Sequence, residues 1–295
     1  MDNTAPSLPL WRAYLNLIGL SLVWGTSFIL IKKGLTVFDP IQVACLRMSL
    51  SASAFVPMLV FNRKRMDWSL LPYLILVGLT SSAVPAVLFA TAQTQISSST
   101  AGILNSLTPL FTLLFGAIIF GSKTSWMQAV GVILGLVGAA FLILYGKTAG
   151  SQGSYFYAGL VVLATVCYAI GANTIGTKLK NLNSLVISSA SFGIVGVPML
   201  FYLVAGTDFV QRMQHAPHAW EALGYVLILS WVGTVICSII YFKLIQDTTA
   251  VFGSTVAYLM PLIAMIWGSA DGESIGFAQI IGMGLILSGV YLTRK

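Results

Sequence analysis

The chain has 295 residues, of which 57% are hydrophobic and only 8% charged, against roughly a quarter charged in soluble domains. Such a chain cannot cover itself with a wettable surface, which excludes an ordinary soluble domain and makes a lipid bilayer its solvent. The formal net charge of +7 comes from short basic clusters between apolar runs, a pattern that suits an anionic membrane surface rather than nucleic acid.

Apolar runs of about 20 residues, long enough to cross a bilayer as helices, recur ten times. They are predicted at Trp11–Ile31, Ile41–Phe61, Leu70–Thr91, Ala101–Phe120, Trp126–Tyr145, Tyr155–Ile175, Leu185–Val204, Ala222–Leu244, Ala250–Gly268 and Gly276–Leu292. Connections are short, as in a bundle of antiparallel neighbours, apart from a polar Gly206–Trp220 loop containing Pro217. The N-terminal MDNTAPSLPLWRAY has neither a basic n-region nor a cleavage site, so no removable signal peptide is expected. Cys45, Cys167 and Cys237 fall inside apolar runs and read as small buried hydrophobes, without disulfide or metal-ligand spacing.

The chain also repeats itself. Gly121, Gln128, Gly131 and Gly138 correspond at one constant offset to Gly272, Gln279, Gly282 and Gly289, and Pro109 corresponds to Pro261 after a single-residue slip. Two halves are therefore expected, residues 1–147 and 148–295, with five spans each. Five is odd, so the second half must run through the membrane upside down relative to the first, the inverted-repeat arrangement of alternating-access carriers. The expected fold class is an all-α membrane protein of ten transmembrane helices, built as two inverted five-helix repeats. With a cytoplasmic N-terminus, the inner segments hold Arg12, Arg63, Lys64, Arg65, Lys123, Lys178, Lys180, Lys243, Arg294 and Lys295. The outer ones hold Lys32, Lys33, Lys147 and Arg212, so the positive-inside rule puts both termini in the cytoplasm. Lys32 and Lys33 are expected to lift their ammonium groups to the interface.

Several stretches carry a resemblance. Trp24-Gly25-Thr26-Ser27-Phe28, the Arg47 segment AxxRMxLxA, STAGILNSLTPLFT, GSKTSWMQAVGVILGLVG and GESIGFAQIIGMGLILSGV occur in order. The chain resembles the drug/metabolite transporter superfamily in its ten-helix EamA branch, and within it the YddG-like exporters of aromatic amino acids and related metabolites. The resemblance implies an inner-membrane transporter without a cofactor. One departure stands out: Glu273 occupies the acidic position of the family's Gly-Glu turn, whereas the first repeat has Ser122 there.

Polar groups and helix breaks inside a bilayer are costly, so they should face a cavity or another helix. Helical spacing groups Trp24, Ser27, Phe28 and Ile31 in the first run, Ser82, Pro85 and Phe89 in the third, and Gly102, Asn105, Ser106 and Pro109 in the fourth. It likewise groups Tyr168, Gly171 and Ile175, with Asn173 to one side, in the sixth, Ser230, Thr234, Ser238 and Tyr241 in the eighth, and Ser254, Tyr258 and Pro261 in the ninth. The substrate-binding candidates are Trp24, Ser27, Phe28, Pro85, Phe89, Asn105, Tyr168, Asn173, Thr234, Ser238, Tyr241 and Tyr258. Pro109 and Pro261 should each free a carbonyl and kink the helix for rocking motions. Gly131, Gly135, Gly138, Gly282 and Gly289 read as close-packing positions. Arg47 is the one clear charge within a span. Its natural partner is a carboxylate or phosphate, but lying near Pro40 it is expected to reach an interface or helix-end carbonyls instead.

All eight acidic residues fall at helix ends or in loops, so no intramembrane carboxylate is available for proton antiport. That favours facilitated diffusion or exchange of neutral or zwitterionic solutes, and the single Arg47 argues against phosphorylated ones. Other readings are a proton-coupled multidrug, amine or purine exporter, a channel, and a receptor or assembly subunit. Enzymatic chemistry is not expected. His215 and His218 form a lone HxxH pair without a third ligand, and no Ser–His pairing, Walker loop or dinucleotide fingerprint is present. The partners expected are a small-molecule substrate and lipid, with no nucleic acid, and the protein acting as a monomer or homodimer.

Overall fold

The structure, a computed structural model, describes residues 9–122, 125–145 and 154–292. Lys123, Lys147, Arg294 and Lys295, four of the charges used for orientation, lie outside the described residues, as does the junction between the expected halves. All described secondary structure is helical. The spans are α1 (Leu10–Gly34), α2 (Pro40–Arg65), α3 (Trp68–Ala92), α4 (Ser98–Ile118), α5 (Trp126–Tyr145), α6 (Tyr155–Lys178), α7 (Ser184–Ala205), α8 (Ala219–Asp247), α9 (Ala250–Ala270) and α10 (Phe277–Leu292). The first nine are long and apolar enough to cross a membrane, and α10 is a shorter apolar helix. The loop expected at Gly206–Trp220 instead contains a short helix, Phe209–His215. Arg212 ties that helix down through Asp208, Asp39 and the carbonyl of Val37.

Helix starts are set by local chemistry that recurs in both halves. Ser97 Oγ accepts from Thr100 N at the start of α4, and Thr249 Oγ1 accepts from Phe252 N at the start of α9. Gln128 Oε1 reaches back to Ser125 N before α5, and Gln279 Oε1 does the same to Gly276 N before α10. Gly121 and Gly272 hold left-handed φ angles of 69° and 83° in the turns that precede these caps. The irregularities recur too. A π-helical turn interrupts α3 at Leu79–Ala83 and α8 at Trp231–Ile236. A break interrupts α4 after Asn105 and α9 after Ser254.

Equivalent helices also pack on each other, α2 on α7 and α5 on α10. A β-carbon on Gly196 would lie 2.5 Å from Met48 O, and Phe55 stacks on Phe192 with ring centroids 5.1 Å apart. In the second pair a β-carbon on Gly289 would come within 2.5 Å of Gly131 O, and one on Gly138 within 2.7 Å of Leu285 Cβ. With no hydrophobic drive between helices in lipid, such close backbone approach is what holds them together. The repeated glycines and glutamines thus serve architecture: turn, cap and contact. Gly138→Ala should cost about 1–3 kcal/mol by overpacking, read as a lowered thermal midpoint of the detergent-solubilised protein. Gly224→Ala, whose β-carbon would meet nothing within 4 Å, is the control and should leave the midpoint in place.

Large apolar side chains cover the outside, among them Ile133, Phe201, Ile266 and Ile280. Trp11, Trp68, Trp126 and Trp220 are exposed at the starts of their spans, where indoles favour the membrane interface. The molecule is a multi-pass membrane protein.

Candidate functional site

A cavity of about 100 Å³ lies among eight of the ten helices, and the irregular segments of four of them all reach its wall. The widened turn of α3 contributes Ser81 and Ser82, that of α8 Gly233 and Thr234. The break in α4 contributes Asn105 and Thr108, and that in α9 Ser254, Val256, Ala257 and Met260. Helices α1, α2, α6 and α7 add Trp24, Ser27, Phe28, Ile31, Arg47, Tyr168 and Phe192. Helices α5 and α10, fastened to each other, add nothing. Irregular backbone at membrane depth is tolerated only where protein or a cavity can satisfy it, and the π turn of α8 shows how. The Cys237 N–H, which would reach Gly233 O in a regular helix, goes to Val232 O and Thr234 O. The Gly233 carbonyl instead accepts from Trp24 Nε1 at 2.6 Å. Trp24 also meets Tyr241 edge-on, with centroids 4.9 Å apart.

Nine of the candidates line this cavity: Trp24, Ser27, Phe28, Phe89, Asn105, Tyr168, Thr234, Ser238 and Tyr241. Three do not. Asn173 donates from Nδ2 to Thr112 O and Ala169 O, both at 2.9 Å, and so bonds α6 to α4. Pro85 is buried just beyond the π turn at Leu79–Ala83 and is not on the cavity wall, although Ser82 before it and Phe89 after it are. Tyr258 ends a 3₁₀ segment, where three residues per turn bring Ala257 rather than Tyr258 over Ser254. Pro109 and Pro261 do not sit inside continuous helices. Each lies in the first turn of the half-helix beyond a break, where a missing N–H costs nothing. Arg47 is not at an interface. It faces the cavity, its Nε donating to Thr234 Oγ1 at 3.0 Å with the Tyr168 phenol beside it. Ser81 and Thr108 are cavity residues that helical spacing missed, because both belong to irregular turns or their immediate continuation.

One end of the bundle is tied by charge. Glu273, in the turn between α9 and α10, accepts from Lys32 Nζ at 2.9 Å. It also accepts from the backbone N–H and hydroxyl groups of Ser98 and Ser99 at the start of α4. Lys32 and Lys33 also pair with Asp271, so both fold onto the α9–α10 turn. Burial pushes the Glu273 carboxyl up, but the bonds from Lys32, Ser99 and Ser98 outweigh it and hold the group down at about 2. Lys32 and then Lys33 hold Asp271 below the usual carboxylate range. The equivalent Ser122 makes a backbone bond to Gly116 O at 2.9 Å. At the opposite end, Asn16, the 180–184 loop and the end of α8 border an open cleft of about 680 Å³. His215 bonds the Gln211 carbonyl, and His218 stands beside Glu221.

This discontinuous bundle around a central cavity matches a known family. The model of the EamA-like transporter family matches residues 11–144 and again 156–295. The chain belongs to this family. It is similar to the uncharacterized inner membrane transporter YedA of Escherichia coli strain K12, 25% identical over 97% of this chain and 90% of that one. It is also similar to a probable amino-acid metabolite efflux pump of Salmonella typhimurium, 26% identical over 92% of this chain and 91% of that one. A solved structure named only as the crystal structure of a protein shares the fold, with a TM-score of 0.65 and 16% identity, covering 96% of this chain and 98% of that one. The protein is therefore a membrane transporter rather than an enzyme.

Proposed function

We propose that this EamA-family transporter carries small neutral or zwitterionic metabolites, foremost amino acids with apolar or aromatic side chains, out across the inner membrane. The observation that carries the reading is the composition of the cavity wall: indole, phenol and phenyl rings, hydroxyls, one carboxamide and a single guanidinium. Rings supply an apolar seat and a few polar groups fix orientation, which is the usual design of a small-molecule site. The cavity is well below the roughly 300–1,000 Å³ of drug-sized sites, which favours a metabolite over a bulky drug. The Salmonella relative's name points to the same substrate class, and YedA's to the inner membrane.

Transport proceeds by alternating access, the two halves rocking around the cavity, with both termini cytoplasmic and the chain acting as a monomer or homodimer. Flux runs down a solute gradient or by exchange, since no carboxylate among the described residues lines the cavity to trade a proton for substrate. The test is uptake and counterflow in proteoliposomes with amino acids, amines, purines and sugar phosphates. Saturable counterflow of apolar and aromatic amino acids is expected. Uphill flux driven by a pH gradient would refute the exchange mechanism, and preference for purines or sugar phosphates would refute the substrate class.

A further inference from the structure

We infer that Arg47 anchors the carboxylate of the transported solute and that Asn105 accepts from its ammonium group. The inference rests on the transport reading above and narrows it: a free carboxylate becomes a requirement for transport.

Arg47 lies seven residues into α2, about 10 Å along the helix from Pro40. Its Nε donates to a neutral hydroxyl, Thr234 Oγ1, which itself donates to Leu229 O and is thereby fixed as an acceptor. No carboxylate among the described residues pairs with the guanidinium. Asp39 and Asp208 are taken by Arg212, Asp247 by Lys243, and Asp271 and Glu273 by Lys32. Asp67 bonds Ser69, and Glu221 bonds Tyr225 and His218. A cation without a counter-ion at membrane depth is costly, and it persists where a ligand brings the missing charge. The planar fork of arginine fits a carboxylate through two parallel N–H bonds. A phosphate dianion would call for a second cation, and among the described residues no lysine or other arginine lines the cavity.

Asn105 makes the complementary observation. It is 4% exposed and lines the cavity, and its Nδ2 faces Met260 Sδ at 3.5 Å while its Oδ1 has no hydrogen-bond partner. A thioether sulfur cannot donate, so the amide is oriented with its oxygen as the unpaired atom. A buried carbonyl oxygen left unpaired is itself costly, and a substrate ammonium would satisfy it. One excess positive charge and one vacant acceptor in a single cavity match the two ends of a zwitterion.

The experiment is protein-dependent exchange in proteoliposomes of four related probes: L-phenylalanine, L-phenylalaninamide, phenethylamine and 3-phenylpropionate. The wild-type protein should exchange phenylalanine at least roughly tenfold faster than the amide or the amine, the loss expected when one charge-assisted contact is removed. Arg47→Gln should lose phenylalanine exchange by a similar factor, and Arg47→Lys should recover part of it. Asn105→Ala should slow phenylalanine exchange more than phenylpropionate exchange. Inorganic phosphate should not compete. Phenethylamine or the amide matching phenylalanine in the wild type, Arg47→Gln exchanging at the wild-type rate, or inhibition by phosphate would each overturn the carboxylate assignment while transport itself stood. Equal slowing of phenylalanine and phenylpropionate by Asn105→Ala would overturn the ammonium assignment. Exchange of none of the four would overturn the transport reading and this inference with it. The wild-type selectivity series needs no variant, so a poorly folding Arg47→Gln protein does not blunt the test.

Discussion

Replacing Glu273 with alanine is expected to open the end of the transporter that bears the α9–α10 turn. The carboxylate has a side chain only 8% exposed and joins three separate elements: the end of α1 through Lys32, the start of α4 through Ser98 and Ser99, and its own turn. Its position over the first N–H groups of α4 adds the favourable field of a helix start. Removing it strands Lys32 with Asp271 alone and leaves those N–H groups to solvent. Because Lys32 is 34% exposed, water recovers part of the loss. A net cost of about 2–3 kcal/mol is reasonable for charge-assisted bonds of this number, which shifts a two-state equilibrium roughly 30- to 150-fold. The measurement is labelling of Ile31→Cys, on the cavity wall of α1, by an impermeant maleimide in a background lacking Cys45, Cys167 and Cys237. Glu273→Ala should raise the labelling rate from that face by at least roughly tenfold, whereas an unchanged rate means the network does not gate.

The same geometry fixes a pH dependence. A carboxylate whose folded value is about 2 lies below its unfolded reference, so the stability it supplies is complete above roughly 4.3 and fades as pH falls through about 2. Asp271, held down by Lys32 and Lys33, moves in the same sense. Labelling of Ile31→Cys should therefore be flat from about pH 5 to about pH 8 once corrected for maleimide chemistry. A rise within that window would mean that this network titrates at physiological pH and could serve proton coupling after all.

Much of the architecture was legible because it is written in local chemistry. Span length follows from hydropathy, and the offset between the halves follows from residues whose jobs are geometric: Gly121 and Gly272 turning, Gln128 and Gln279 capping, Gly138 and Gly289 letting backbones touch. The cavity was legible wherever a span stays regular on the cavity side, as with Trp24, Ser27 and Phe28 on α1. Across the π turn of α8 the spacing still found Thr234, Ser238 and Tyr241, but it failed at the 3₁₀ segment of α9, because a count of three and four residues per face assumes a helix that does not change pitch. That is why Tyr258 drops off the wall and Ala257 takes its place, while Ser81 joins from within the widened turn of α3. Asn173 illustrates a different limit. An amide within a span bonds a neighbouring helix as readily as it faces a solute, and only the position of Thr112 O decides between them. Arg47 depended on long-range geometry as well, since nothing local in α2 announces Thr234, 187 residues away.

Trp24 should prove the most sensitive aromatic position, for a reason separate from any contact with solute. Its indole N–H is the partner of the Gly233 carbonyl released by the π turn of α8, and the residue after Gly233 is Thr234, the acceptor for Arg47. Trp24 thereby satisfies the widened turn one residue from the acceptor for the guanidinium. Trp24→Ala removes the bond and the ring packed on Tyr241, at an expected cost of about 3–5 kcal/mol, and should lower both thermal stability and transport sharply. Trp24→Phe separates the two contributions. It keeps a ring against Tyr241 but leaves the Gly233 carbonyl buried without a donor, a penalty of about 1–3 kcal/mol. If that carbonyl positions Thr234, phenylalanine exchange by Trp24→Phe should fall at least roughly tenfold, well beyond the effect of Phe28→Leu, which alters the apolar wall of the cavity but breaks no hydrogen bond. Wild-type exchange by Trp24→Phe would show that the turn keeps its shape without the indole, and that Arg47 is placed by α2 and Tyr168 instead.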